Sequence, residues 1–147
     1  MQVASILKAK GAHVVTVRPD ETIQHAAAKL RLEGVGALIV SRDGIMLDGI
    51  ITERDITKGF ADHGADLASR HVRDLMELGV LTCKPEDGIA DVARLMTNRR
   101  LRHLPVTDGP RLAGIVSIGD ILKYRLDEVE LEARVMHDVA IANRSHA

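Results

Sequence analysis

Hydrophobic positions along this chain alternate between a strand rhythm and a helix rhythm. Val14 to Val17 is a short β-branched run, and Pro19-Asp20-Glu21-Thr22 then supplies turn and helix-start residues. Ile23, Ala26, Ala27 and Leu30 follow at helical spacing, closed by Gly34 and Gly36. Ala37 to Val40 reads as a buried strand, Arg42-Asp43-Gly44 as a turn, Met46 to Ile51 as another strand, and Thr52 to about Phe60 as a helix. The predicted order is β-α-β-β-α. It returns with Val80 to Cys83, Ile89 to Asn98, His103 to Thr107, Leu112 to Val116 and a helix from Gly119. That last helix is predicted to reach about Met136, with Ile121, Leu122, Leu126, Val129 and Val135 as its apolar positions. Val3 to Leu7 and Val72 to Met76 resemble each other as short lead-in helices, and Gly64 to Ser69 reads as a linker.

The repetition reaches individual residues. Pro19-Asp20-Glu21 corresponds to Pro85-Glu86-Asp87, Ala37-Leu38-Ile39-Val40 to His103-Leu104-Pro105-Val106, and Gly49-Ile-Ile-Thr-Glu-Arg-Asp-Ile56 to Gly114-Ile-Val-Ser-Ile-Gly-Asp-Ile121. The chain is a duplication, with units at residues 1–66 and 67–147. The fold class is α/β, mixed helix and strand. A chain of 147 residues forms one compact body, but each half alone has too little core, so the halves are expected to pack together.

Hydrophobic residues make up 46% of the chain, yet there is one Phe, one Tyr and no Trp, so aliphatic side chains must fill the core. Stacking of bases on aromatic platforms is therefore not expected. With 20 basic and 21 acidic residues the formal net charge is -1, which offers no field for a polyanion and argues against nucleic acid as a partner. The lone Cys83 excludes an internal disulfide and is expected as a small buried strand residue. No apolar run approaches the ~20 residues that cross a bilayer, and no leader pattern precedes the first unit, so a cytoplasmic location without membrane contact is expected. The seven histidines show no zinc spacing, and neither a phosphate-binding Gly-rich loop nor a nucleophile elbow occurs. No metal and no catalytic constellation are expected, and the chain does not read as an enzyme.

The candidate chemistry lies in the repeated Thr52-x-x-Asp55 and Ser117-x-x-Asp120. Each places a hydroxyl and a carboxylate at a strand-to-helix junction, where free backbone N–H groups and the helix dipole favour anions. The hydroxyl suits a phosphate, and the acceptor-only carboxylate suits the two hydroxyls of a ribose. The same spacing is also a near variant of the capping box, which satisfies the helix end and binds nothing. Arg99, Arg100, Arg102 and His103 precede the second buried strand, where the first unit has Glu33-Gly34-Val35-Gly36-Ala37. The second site is accordingly expected to be the better anion site, with Arg54 as a compensating charge in the first.

With the doubled Gly-Ile-Ile/Val-Thr/Ser-x-x-Asp-Ile motif and Arg102-His103-Leu104-Pro105-Val106, the chain resembles a tandem pair of CBS domains, a Bateman module, from about Val3 to Leu126. It is most similar to the small stand-alone bacterial type. The resemblance implies two units packed sheet to sheet about a pseudo-two-fold axis, with two clefts for an adenine nucleotide such as AMP, ADP, ATP or NAD(H), and no catalytic cofactor. Carried over, one site uses Thr52, Arg54 and Asp55, with adenine near Val15, Thr16, Ala37 and Leu38. The other uses Ser117, Asp120, Arg102 and His103, with Leu81, Thr82, Leu104 and Pro105 around the base. The resemblance further implies a homodimer formed through helices, including Ile121 to Met136, and a regulated protein that the sequence does not name. A purely structural dimerisation module and a nucleotide-acting enzyme are the competing readings.

Overall fold

The computed structural model describes residues 1–11 and 13–146. In the first unit, β1 (Thr16–Val17), β2 (Ala37–Val40) and β3 (Gly49–Thr52) form one sheet in that order, β1 parallel and β3 antiparallel to β2. Helix α1 (Val3–Lys10) precedes it, α2 (Ile23–Glu33) connects β1 to β2, and α3 (Glu53–His63) follows β3. In the second unit α4 (Val72–Leu75) precedes α5 (Ile89–Arg99), and β4 (His103–Asp108) pairs antiparallel with β5 (Arg111–Ser117), which runs into α6 (Ile118–Ser145).

Three expectations need correction. The predicted strand Val80–Cys83 shrinks to one parallel bridge between Cys83 and Val106, the counterpart of the Val17–Val40 pair. Its bonds persist: the Cys83 N–H donates to the Pro105 carbonyl at 3.0 Å and the Thr107 N–H to the Cys83 carbonyl at 2.9 Å. The expected linker Gly64–Ser69 is a 3₁₀ helix that buries Leu67 in the first core. Helix α6 continues well past Met136, because nothing after that residue breaks a helix before Ser145.

Strand alternation divides the interior into three. Leu38, Val40 and Ile51 face α2 and join Val17, Ile23, Ala26 and Leu30 in the first core. Leu104, Val106 and Val116 join Ile89, Val92, Met96 and Ile121 in the second. The alternate residues Ala37, Ile39 and Ile50 point the other way and meet Leu112, Ile115 and Val80 in a layer between the two sheets.

The lead-in helices are exchanged. Val3, Ile6 and Leu7 of α1 lie in the second core, whereas Val72 of α4 lies in the first. Matching backbone bonds fix both: Val3 donates to Asp87 at 2.9 Å and Ala4 to Pro85 at 2.8 Å, as Val72 donates to Glu21 at 2.8 Å and Arg73 to Pro19 at 3.0 Å. The motif glycines make room for these crossings. A Cβ on Gly49 would lie 2.6 Å from the Glu77 carbonyl oxygen, and one on Gly114 would lie 2.6 Å from Cδ2 of Leu7. Backbone cannot yield at the first position, whereas a leucine tip can at the second. Gly49→Ala is therefore expected to cost about 1–3 kcal/mol of unfolding free energy and Gly114→Ala distinctly less, as measured by urea denaturation.

Candidate functional site

Both repeated motifs form complete capping boxes. The Asp55 N–H donates to Thr52 Oγ1 at 3.3 Å, and Asp55 Oδ2 accepts the Thr52 N–H at 2.9 Å and its hydroxyl at 3.1 Å. At α6 the Asp120 N–H donates to Ser117 Oγ at 3.0 Å and the Ser117 N–H to Asp120 Oδ2 at 2.9 Å. The capping alternative is thus realised twice. Only one carboxylate oxygen of each aspartate takes part, so capping does not use up the acceptor capacity of either.

Beyond the caps the two ends differ. A cavity of about 320 Å³ opens at the start of α3, lined by Thr52, Glu53 and Arg54 from the first unit and by Arg100, Arg102 and His103 from the second. Ile50, Val80, Leu81 and Leu101 supply its apolar wall. Among the described residues, Arg54, Arg100 and Arg102 have no acidic side chain within ion-pair distance, so three guanidinium groups are left for an external anion. Glu53 and Glu77 also line the cavity and temper its charge. Burial, and then the neighbouring Asp55 carboxylate, push the Glu77 carboxyl above its ordinary range.

The grouping of residues departs from the sequence expectation. Arg102, His103 and Leu81 line the cavity at the Thr52 motif, although the backbone of His103 pairs with Ser117 across the second sheet. Alternation along β4 explains it: Leu104 and Val106 turn into their own core, so His103 and Pro105 point across to the first unit. The imidazole of His103 lies against Gly36, where a Cβ would stand 3.1 Å from Cε1. Burial lowers the His103 pKa below its ordinary value, against the opposing pull of Glu53 and Asp120.

Other expected contacts fall elsewhere. Leu38 and Leu104 are fully buried in the first and second cores, and Ala37 is buried between the sheets, so none of the three presents a surface. Val15 packs half-buried against the first core, and the Thr16 carbonyl accepts the Lys29 ammonium. Pro105 is buried within β4, Thr82 is exposed away from the cavity wall, and Asp55 is buried behind Thr52. Leu101 and Glu77 belong to the cavity and were not assigned to a site from sequence, and Arg100, expected among the arginines of the second site, lines it too.

At the start of α6 the motif carboxylate is engaged from within the chain. Lys10 Nζ reaches Asp120 Oδ2 at 2.7 Å and the Ile115 carbonyl at 3.0 Å. Burial of Asp120 opposes its ionisation, but the Lys10 and Ser117 hydrogen bonds and the Lys10 charge outweigh this and hold its pKa below the ordinary value. Gly34, Gly36 and Ala37 occupy the positions corresponding to Arg100, Arg102 and His103, so this end has no arginine cluster of its own.

Arg100 carries a conformational cost. It is the only described non-glycine residue with positive φ, at φ 54 and ψ 41, and it closes α5 where Gly34 closes α2 at φ 65 and ψ 35. A glycine is the low-energy choice for that cap, and the arginine instead places its side chain at the cavity. Among the described residues no group of His, Cys, Asp and Glu is arranged to hold a metal ion, and no helix is long and apolar enough to cross a membrane. Burial pushes the Cys83 thiol up to about 12, which leaves it unreactive.

The CBS domain family model matches the chain twice, at residues 7–62 and 72–127. The crystal structure of the CBS-domain containing protein ATU1752 from Agrobacterium tumefaciens is 40% identical, with a TM-score of 0.81 over 85% of this chain and 99% of that one. Two ligand-bearing structures are 26% identical. The CBS domain pair of protein MJ0100, in complex with 5′-methylthioadenosine and S-adenosyl-L-methionine, has a TM-score of 0.76 over 87% of this chain and 98% of that one. CBSX2 in complex with AMP has a TM-score of 0.72 over 86% and 96%.

Left-handed backbone at a non-glycine residue costs about 1–2 kcal/mol, partly offset by the freer unfolded chain that a glycine brings. Arg100→Gly is expected to raise the unfolding free energy by about 0.5–1 kcal/mol, whereas Arg102→Ala should change it by less than about 0.5 kcal/mol. Chemical denaturation of the two variants beside the unaltered chain measures both.

Proposed function

The chain belongs to the CBS domain family, and we propose on that premise that it is a non-catalytic regulatory module that binds one adenine nucleotide per chain in the cavity at Thr52. The observation that carries this reading is the meeting of Arg54, Arg100 and Arg102 at the N-terminus of α3. Those groups suit the phosphates, and the dipole of the helix end adds to them. The apolar wall of Ile50, Val80, Leu81 and Leu101 suits the base. The carboxylate of Glu77 suits the ribose hydroxyls, as an acceptor on the cavity wall. The neighbours that hold AMP, 5′-methylthioadenosine and S-adenosyl-L-methionine support an adenosine ligand, all three containing that group.

The ligand spans both units, so it favours the arrangement that brings α3 and the start of β4 together. A regulated partner then responds through its unequal affinity for the two arrangements. Lys10 stands where a second ligand would reach Asp120, and on this reading the second cleft stays shut.

Isothermal titration of the full chain with ATP, ADP, AMP, NAD, NADH and S-adenosylmethionine tests the proposal. ADP and ATP are expected to bind more tightly than AMP, with one site per chain, and the cationic sulfonium of S-adenosylmethionine is expected to bind weakly. Arg102→Ala should lower ATP affinity about tenfold or more, from the loss of a charge-assisted hydrogen bond. Binding should also tighten as pH falls. His103 is neutral above its lowered pKa, a phosphate beside it raises that pKa, and a proton is therefore taken up between the free and bound values. His103→Gln should remove this slope. No heat with any adenine compound at millimolar concentration would leave the scaffold reading in its place.

A further inference from the structure

We propose that Leu78, with Leu81 beside it, is a latch that folds over the base of the bound nucleotide and sets how long the nucleotide stays. The proposal rests on the reading of the Thr52 cavity as a nucleotide site. Both leucines line that cavity, yet Leu78 is 70% and Leu81 42% exposed. The other apolar residues of the wall, Ile50, Val80 and Leu101, are buried or half-buried. Two leucines held in water at the mouth of a charged cavity lack the burial that a flat apolar ring beneath them would supply.

The backbone there is free to turn. Glu77 is fixed by two bonds with Ile50, at 2.9 and 3.2 Å, and Cys83 by two with β4, at 3.0 and 2.9 Å. Between these anchors the backbone of Leu78 to Thr82 finds no hydrogen-bond partner among the described residues, the condition in which a segment opens and closes at small cost. Val80 is tucked between the two sheets, so the part left to move most is Leu78-Gly79. Gly79 holds φ 61, and a Cβ there would meet nothing within 4 Å. Glycine is thus placed for its backbone freedom, not because neighbours crowd it, and it lets the chain beside Leu78 pivot.

The two lead-in helices part company at this point. Helix α1 continues to Lys10, whose ammonium is bound to Asp120 at 2.7 Å. Helix α4, its counterpart, stops at Leu75, and the residues after it run irregularly along the Thr52 cavity. At one end the motif carboxylate is held by a fixed cation; at the other the cavity is bordered by a hinged apolar pair. The place of Leu78 in the chain also suits the base. Glu77, the residue before it, is the acceptor for the ribose on the reading above, and the base is the group joined to the ribose.

Thiol labelling of Leu78→Cys in the full chain tests the latch, and the native Cys83 is buried and does not compete. Saturating ATP is expected to slow labelling at position 78 about tenfold or more. Labelling of Leu32→Cys, at a position 85% exposed on α2, is expected to keep its rate. Inorganic tripolyphosphate offers the arginines phosphate without a base, and it is expected to leave labelling at position 78 fast. Leu78→Ala should release a fluorescent ATP about five- to tenfold faster in stopped flow, with the association rate and the melting temperature unchanged. Equal labelling with and without ATP, in a variant that calorimetry shows to bind it, would overturn the latch and leave the nucleotide site standing. Protection by tripolyphosphate equal to that by ATP would overturn it too, as would an unaltered release rate in Leu78→Ala. No heat of ATP binding in the unaltered chain would remove the site itself, and the latch with it.

Discussion

Neither half of this chain closes its own core. Val3, Ile6 and Leu7 seal the second unit and Val72 seals the first, each crossing held by the same set of backbone hydrogen bonds. Much else follows from this exchange. It brings the two sheets face to face over Ile39, Ile50 and Ile115, and it requires glycine at the start of β3, where the segment after α4 passes within bonding distance of Ile50. It also carries residues 77–81 of the second unit along the edge of the first, so that they wall the Thr52 cavity. The cavity is a property of the pair, and a small unit gains through the exchange the burial it lacks alone.

The backbone repeats closely and the side chains do not. Both motif helices begin with the same capping box, and both second helices end in the left-handed conformation. On that common frame one end gathers three arginines and a histidine, while the other is occupied by the Lys10–Asp120 pair. Glycine at the α5 cap would satisfy the helix; arginine there gives up stability for a charge at the cavity. A symmetric scaffold with one charged and one neutralised cleft suits a module that responds to a single anionic ligand.

The duplication and the order of elements were legible in the sequence, because strand and helix periods are local properties. Thr52 and Asp55 were legible as a helix start for the same reason. The partnership of the Thr52 motif with Arg102 and His103 was not. It depends on which face of β4 meets the opposite sheet, a relation between residues far apart in the chain. The predicted strand at Cys83 keeps a single bridge, to Val106 of its own unit. Leu38 and Leu104 look like wall residues when their neighbours are carried over as a block, yet the two-residue period turns them inward. Arg100 had a usable signal: it aligns with Gly34, and an arginine at a glycine cap position marks a site where something other than stability is at work.

The crossed composition of the cavity is the central claim, and hydrogen–deuterium exchange with and without saturating ATP tests it most directly. The account predicts added protection in three separated segments together, at 52–55, 77–81 and 100–103, with little change at 117–120. Protection confined to one unit, or centred on 117–120 beside Lys10, would contradict it.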